Sequence, residues 1–195
     1  MNFYKLYTGI IICLFSTNLF AQTDEAAPAK GGHKWTIYGG AGPNVYFNNL
    51  VIGRDNVNQF QYSFAGRIMW EPEHLLSLGV ESGYYRLYSV SFPEFPDVKI
   101  SNSAIPIFIV VSMKFLKSFY FNFSSGQTIL LNNVYTPTYG HVDESALSFG
   151  DFAGSLGYKR QLKKHISLSA EVKFFDSTKL DDKNMALLFL AGYSF

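Results

Sequence analysis

The sequence predicts an all-β protein, an eight-stranded antiparallel transmembrane up-and-down β-barrel with short periplasmic turns and long extracellular loops. Three observations predict it. The chain opens on an apolar export segment, the remainder alternates apolar and polar residues with period two in runs of about ten, and the connections between those runs alternate between short and long. The length, 195 residues, is that of one domain. Aromatic residues make up 17% of the chain, more than one soluble core of this size buries, so some of them face something other than water. A formal net charge of +1 excludes a basic nucleic-acid footprint, and 48% hydrophobic residues exclude a disordered chain.

Residues 1–21 read as a secretory signal peptide. Lys5 is their only charge, Ile10, Ile11 and Ile12 centre the apolar run, and Ala21 before Gln22 is the small residue at the cut. The run is shorter than the ~20 residues that span a bilayer as a helix. Cleavage after Ala21 removes Cys13, the one cysteine, so the mature chain has no disulfide, thiolate nucleophile or Cys-ligated metal. Ile12 is too bulky for lipidation at Cys13. Residues 22–33, small, polar and aperiodic, are expected to form a flexible periplasmic tail, and 34–195 the barrel.

Eight runs are read as strands: 34–46, 59–70, 75–88, 103–115, 118–130, 149–162, 166–176 and 185–195. The first opens on Trp35. In the second, Phe60, Tyr62, Phe64, Gly66, Ile68 and Trp70 oppose Gln61, Ser63, Ala65, Arg67 and Met69. The third alternates about Ser77 and Glu81 and ends in Tyr84 and Tyr88; the fourth carries Lys114, and the fifth Asn122 and Ser124 after Phe119. In the sixth, Asp151, Ser155 and Lys159 share a face. In the seventh, Ile166, Leu168, Ala170, Val172 and Phe174 oppose Ser167, Ser169, Glu171, Lys173 and Phe175. A helix would mix these sets. In the last, Met185, Leu187, Phe189, Ala191, Tyr193 and Phe195 share a face, and the terminal aromatic resembles the C-terminal signal of outer-membrane barrels.

Residues 71–74, 116–117 and 162–165 are expected as tight turns, and 47–58, 89–102, 131–148 and 177–184 as long loops rich in Asn, Asp, Gly and Pro. A soluble barrel or sandwich would also alternate. The export segment, the short-long connections and the aromatic strand ends favour the membrane.

Over residues 34–195 the chain resembles the outer-membrane β-barrel domain family of Bacteroidetes, the PorT-like group. The export segment ending Leu19-Phe20-Ala21-Gln22 looks like signals from that phylum, and Trp35-Thr36-Ile37-Tyr38-Gly39-Gly40-Ala41-Gly42 looks like the family's first strand. Leu78-Gly79-Val80-Glu81-Ser82-Gly83-Tyr84-Tyr85 looks like its third, Ile105-Pro106-Ile107 like the fourth and Asp151-Phe152-Ala153-Gly154-Ser155-Leu156-Gly157-Tyr158 like the sixth. The resemblance implies an integral outer-membrane protein, with some members serving type IX secretion, and carries no catalytic signature.

Eight strands leave an interior just wide enough for side chains to fill. It is expected to be lined by Gln61, Ser63, Arg67, Ser77, Glu81, Lys114, Asn122, Ser124, Asp151, Ser155, Lys159, Glu171 and Lys173, with Arg67 paired to Glu81 and Glu171 to Lys173 and Asp151. Buried charges need partners, so this polar network is read first as structural. His141-Val142-Asp143-Glu144-Ser145 holds the residue types of a hydrolytic triad within five positions, but neighbours in a loop seldom hold triad geometry, and one His with two carboxylates is a weak metal set. His33, His74 and His165 fall in the tail and turns. Lys159, Arg160, Lys163 and Lys164 form a basic cluster suited to lipid phosphate or an acidic periplasmic partner. Phe92 and Phe95, with Tyr135 and Tyr139, are candidate contacts in the long loops, and Pro43 and Pro106 are candidate breaks in the ladder.

The expectation is therefore a non-enzymatic structural or accessory component of the cell envelope. It contacts outer-membrane lipid and an envelope protein partner, and binds no cofactor, metal or nucleic acid. Two alternatives are a barrel that handles or modifies lipids or small molecules, and an adhesin-like barrel that binds through its loops. The last strand ends the chain, so no peptidoglycan-binding domain is expected.

Overall fold

A computed structural model describes residues 34–47, 56–72, 75–92, 95–116, 118–137, 140–179 and 182–195. The expected signal peptide and tail, with His33, His74 and Tyr139, lie outside them. The strands are β1 (Lys34–Phe47), β2 (Val57–Asn58), β3 (Phe60–Glu71), β4 (Leu76–Phe92), β5 (Phe95–Phe115), β6 (Phe119–Thr136), β7 (Gly140–Lys163), β8 (Ile166–Ser177) and β9 (Asp182–Ser194). Among the described residues they form one antiparallel sheet, not of eight strands but of nine, in the order β2-β4-β3-β1-β9-β8-β7-β6-β5. A β4–β5 ladder closes the ring β4-β3-β1-β9-β8-β7-β6-β5, so each of the eight long strands pairs on both sides. Closure leaves no unpaired edge where two neighbours run side by side. The ninth strand, β2, is two residues inside the expected first long loop and pairs with Ser89 and Val90.

Alternation decides which side chains enter the barrel. In β3 and β8 nearly every second residue is buried. Phe60, Phe64, Ile68, Ile109, Phe123, Leu156, Val172 and Phe189 point outward and are exposed. The inside mixes polar groups with an apolar cluster of Tyr46, Tyr85, Leu87, Phe108, Phe175 and Leu188.

The strands are very unequal, and this corrects the expected long loops. β4 to β7 run 17, 21, 18 and 24 residues, against 14 and 12 for β1 and β3 and 12 and 13 for β8 and β9. At ~3.3 Å per residue, β7 is roughly twice as long as its neighbour β8. Segments 89–102 and 131–148 are mostly strand, over 89–92, 95–102, 131–136 and 140–148. Their Ser, Asn and Asp residues mask an in-register row of β-branched side chains, Val90, Ile100, Val134 and Val142, that suits pairing.

Two irregularities reset the alternation. The β4–β5 register shifts between Arg86 and Tyr88, and the β6–β7 register shifts opposite Gly150. Gly150 has φ +75°, a left-handed conformation that other residues rarely adopt. Before it Ser148 points inward, and after it Asp151 does. Pro43 and Pro106 both fall where a ladder is interrupted without a change of register: β1–β9 omits Gly42 and Pro43, and β4–β5 omits Ile105 and Pro106.

Candidate functional site

The middle of the barrel is filled by an ion cluster. Arg67 and Glu81 are direct cross-strand partners on β3 and β4, and the Arg67 Nε donates to Glu81 Oε2 at 2.7 Å. The same guanidinium donates to Glu171 on β8, at 3.1 Å from Nη1 and 2.9 Å from Nη2. Glu171 Oε2 also accepts from Tyr120 Oη at 2.9 Å and from Asn122 Nδ2 at 3.1 Å. Lys173 pairs with Glu81, not with its strand neighbour Glu171. Two carboxylates thus balance two cations, each group 5% exposed or less. A buried ion pair contributes little net stability but forbids removal of one partner. Toward the far end the rings of Tyr85 and Phe108 lie 5.9 Å from Lys173 Nζ, followed by Phe175.

Two residues expected in this network are elsewhere. Asp151 does not reach Glu171. Its Oδ1 accepts from Ser148 Oγ at 2.7 Å and from Thr178 N at 2.9 Å, pinning the β8–β9 connection to β7. The Gly150 bulge turns it toward that connection. Lys114 lies at the opposite end, the end of the short turns, with its Nζ 3.3 Å from Glu71 Oε2. Glu71, read as a turn residue, is the last residue of β3 and faces inward with Arg67 and Met69. The parity run Gln61, Ser63, Ala65, Arg67, Met69, Glu71 is the signal that finds it. Lys159 Nζ lies 3.0 Å and 3.2 Å from the two Glu71 oxygens, and Tyr38 Oη donates to Glu71. Lys159 thus leaves the basic cluster, while Arg160, Lys163 and Lys164 stay exposed.

These groups frame a cavity of about 320 Å³ at the turn end, walled by Tyr38, Glu71, Ser77, Lys114, Lys159 and Arg160 among others, with Arg67 and Tyr120 at its inner limit. Gly157 makes room for Tyr120, because a Cβ there would collide with the Tyr120 ring.

At the opposite end the long strands build a second, more open cavity of about 540 Å³. Ser91, Lys99, Tyr135 and His141 stand in one register row across β4, β5, β6 and β7, and Ser89, Ser101, Asn133 and Asp143 in the row two positions on. Arg86 closes one side, its guanidinium 6.0 Å from the ring centre of the outward-facing Tyr62 and its buried Nε without a hydrogen-bond partner among the described residues. The Tyr135 and His141 rings lie 4.7 Å apart. Of the candidate loop contacts, Tyr135 is thus a groove residue, while Phe92 and Phe95 are backbone pairing partners at the strand ends and their side chains lie outside the described residues. His141, Asp143 and Ser145 are on one extended strand rather than in a loop. Four residues of strand separate the His and Ser backbones by roughly 13 Å, too far for a triad. His165 Nδ1 meets the Ser194 carbonyl at 2.7 Å.

By sequence, no family model and no curated protein matches the chain. Among solved structures it is similar to Ail, the attachment invasion locus protein of Yersinia pestis, in complex with the heparin analogue sucrose octasulfate. The TM-score is 0.56 and the identity 14%, over 84% of this chain and 99% of that one. It is also similar to Neisserial surface protein A, with a TM-score of 0.52 and 11% identity over 86% of this chain and 100% of that one. Both are eight-stranded outer-membrane β-barrels, and at these identities the likeness is one of fold.

Proposed function

We propose that the protein is an integral outer-membrane β-barrel, without enzymatic activity, that presents a ligand-binding sheet at the cell surface. The observation that carries this reading is the extension of β4 to β7 beyond their shorter neighbours, with the Arg86, Lys99 and His141 groove on it. The protein sits in the outer membrane: its outward face is a belt of exposed Phe, Ile, Leu and Val, which water does not favour and lipid does. The short turns and Lys34 lie on the periplasmic side and the long strands outside. The packed ion cluster and the apolar cluster beyond it support a barrel that does not conduct.

The groove favours an anionic glycan, since its charged lining residues, Arg86 and Lys99, are both cations. The sulfated sugar held by Ail belongs to the same chemical class. The test is binding of heparin oligosaccharide to the protein in vesicles, for wild type and for an Arg86→Gln/Lys99→Gln double variant. Salt-sensitive binding lost in the double variant supports the reading; its absence in wild type overturns it. The PorT-like resemblance favours a second reading, an accessory subunit of an envelope assembly, for which a stoichiometric partner retained through mild-detergent purification is the evidence.

A further inference from the structure

The cavity at the turn end has more positive charge than the protein itself neutralises. Lys34, Lys114, Lys159 and Arg160 line it, and Glu71 is its only carboxylate among the described residues. That carboxylate is already taken up by Lys114, Lys159 and the Tyr38 hydroxyl. Lys34 and Arg160 have no ion-pair partner among the described residues, and Lys34 and Lys114 both repel Lys159. Arg67 at the inner limit adds nothing, being matched by Glu81 and Glu171.

Exposed lysines alone would be a solvated rim. Here the crowding is built into the interior: the Lys159 side chain is only 16% exposed. A second, independent feature is Ser77. It lines the same cavity at 2% exposure, and its Oγ has no hydrogen-bond partner among the described residues. The hydroxyls of Tyr85, Thr128 and Ser167 are also buried without a partner among the described residues, but of these four only Ser77 lines this cavity, where a bound group can supply the bond. A hydroxyl donor beside several ammonium groups is the donor set that a tetrahedral, multiply charged oxyanion satisfies.

We infer that the turn-end mouth of the barrel binds phosphate, free or as a phosphomonoester, between Lys114, Lys159, Lys34 and the Ser77 hydroxyl. A dianion matches the excess of cations better than a monocarboxylate does. The volume of about 320 Å³ holds phosphate with a small group attached. The phosphate comes from solution or from a lipid headgroup at the barrel rim, and the experiment separates these sources. The site lies at the opposite end from the surface groove and stands or falls independently of it.

The test is calorimetric titration of the full-length protein in an uncharged maltoside detergent with inorganic phosphate, beside Lys114→Met and Ser77→Ala variants. In parallel, the protein is mixed with phosphatidylcholine vesicles with and without phosphatidic acid. Saturable one-to-one binding of inorganic phosphate, weakened about ten-fold or more in each variant, is the expected result and assigns a soluble ligand. Binding seen only with phosphatidic acid, and lost in the variants, assigns the headgroup. No saturable binding in either arm, or binding that both variants leave unchanged, overturns the site. The Lys114 side chain is partly exposed and, among the described residues, bonds only to Glu71, so its replacement leaves the central ion cluster intact.

Discussion

Arg67 on β3 holds Glu171 on β8 through two hydrogen bonds that cross the lumen, although β1 and β9 separate those strands in the sheet. The same guanidinium also holds Glu81 on the adjacent β4. One side chain therefore ties opposite walls of the barrel together.

Replacing Arg67 by Leu leaves Glu81 to Lys173 and leaves the buried Glu171 without a charged partner among the described residues. Destabilisation of about 3–5 kcal/mol is expected, the cost of breaking a buried pair from one side. Urea unfolding followed by tryptophan fluorescence in lipid vesicles measures it. The Arg67→Leu/Glu171→Leu double variant is expected to recover part of the loss, since it removes the orphaned charge as well.

The lipid-facing assignment predicts that Arg at Phe64 or Val172, both about half exposed on the outward face, impairs insertion. The expected cost is ~2–4 kcal/mol at mid-bilayer. Folding yield into vesicles, read by the gel mobility of unheated samples, checks it. Wild-type yield for both variants would mean that this face does not meet lipid.

Gly157 sits against the Tyr120 ring, which donates to Glu171. Gly157→Val should displace that ring and cost about 1–3 kcal/mol by overpacking, read by the same urea unfolding. The displaced phenol also leaves Glu171 one donor short.

Asp151→Ala should act at the other end. Losing the acceptor of Ser148 and Thr178 frees the β8–β9 connection at a cost of about 1–3 kcal/mol. Hydrogen exchange is expected to rise at Thr178 and Ser177 while Tyr120 and Asn122 keep wild-type protection. A uniform rise along the barrel would mean that Asp151 supports the whole fold.

Single-channel recording in planar bilayers should show no sustained conductance for the wild-type protein, because side chains of the ion and apolar clusters occupy the lumen. Steady ohmic steps would place a continuous water path through it.

Side-chain parity was legible in the sequence because it is local. Once a segment is extended, successive residues must point to opposite faces, so Arg67, Glu81, Glu171 and Lys173 were placed inside, and Phe64 and Val172 outside, by counting alone. The same count carried one step further reaches Glu71, which falls in the expected 71–74 turn. What the sequence left undetermined is which inward residue meets which. Lys173 meets Glu81 rather than Glu171, and Asp151 meets Thr178. Those partners come from strands far apart in the chain, brought together only by closure and register, and one bulge at Gly150 is enough to re-aim a carboxylate. The strand extensions were hidden for the same reason. Their polar residues read locally as loop, and only the pairing of Val90, Ile100, Val134 and Val142 across four strands satisfies their backbones as sheet.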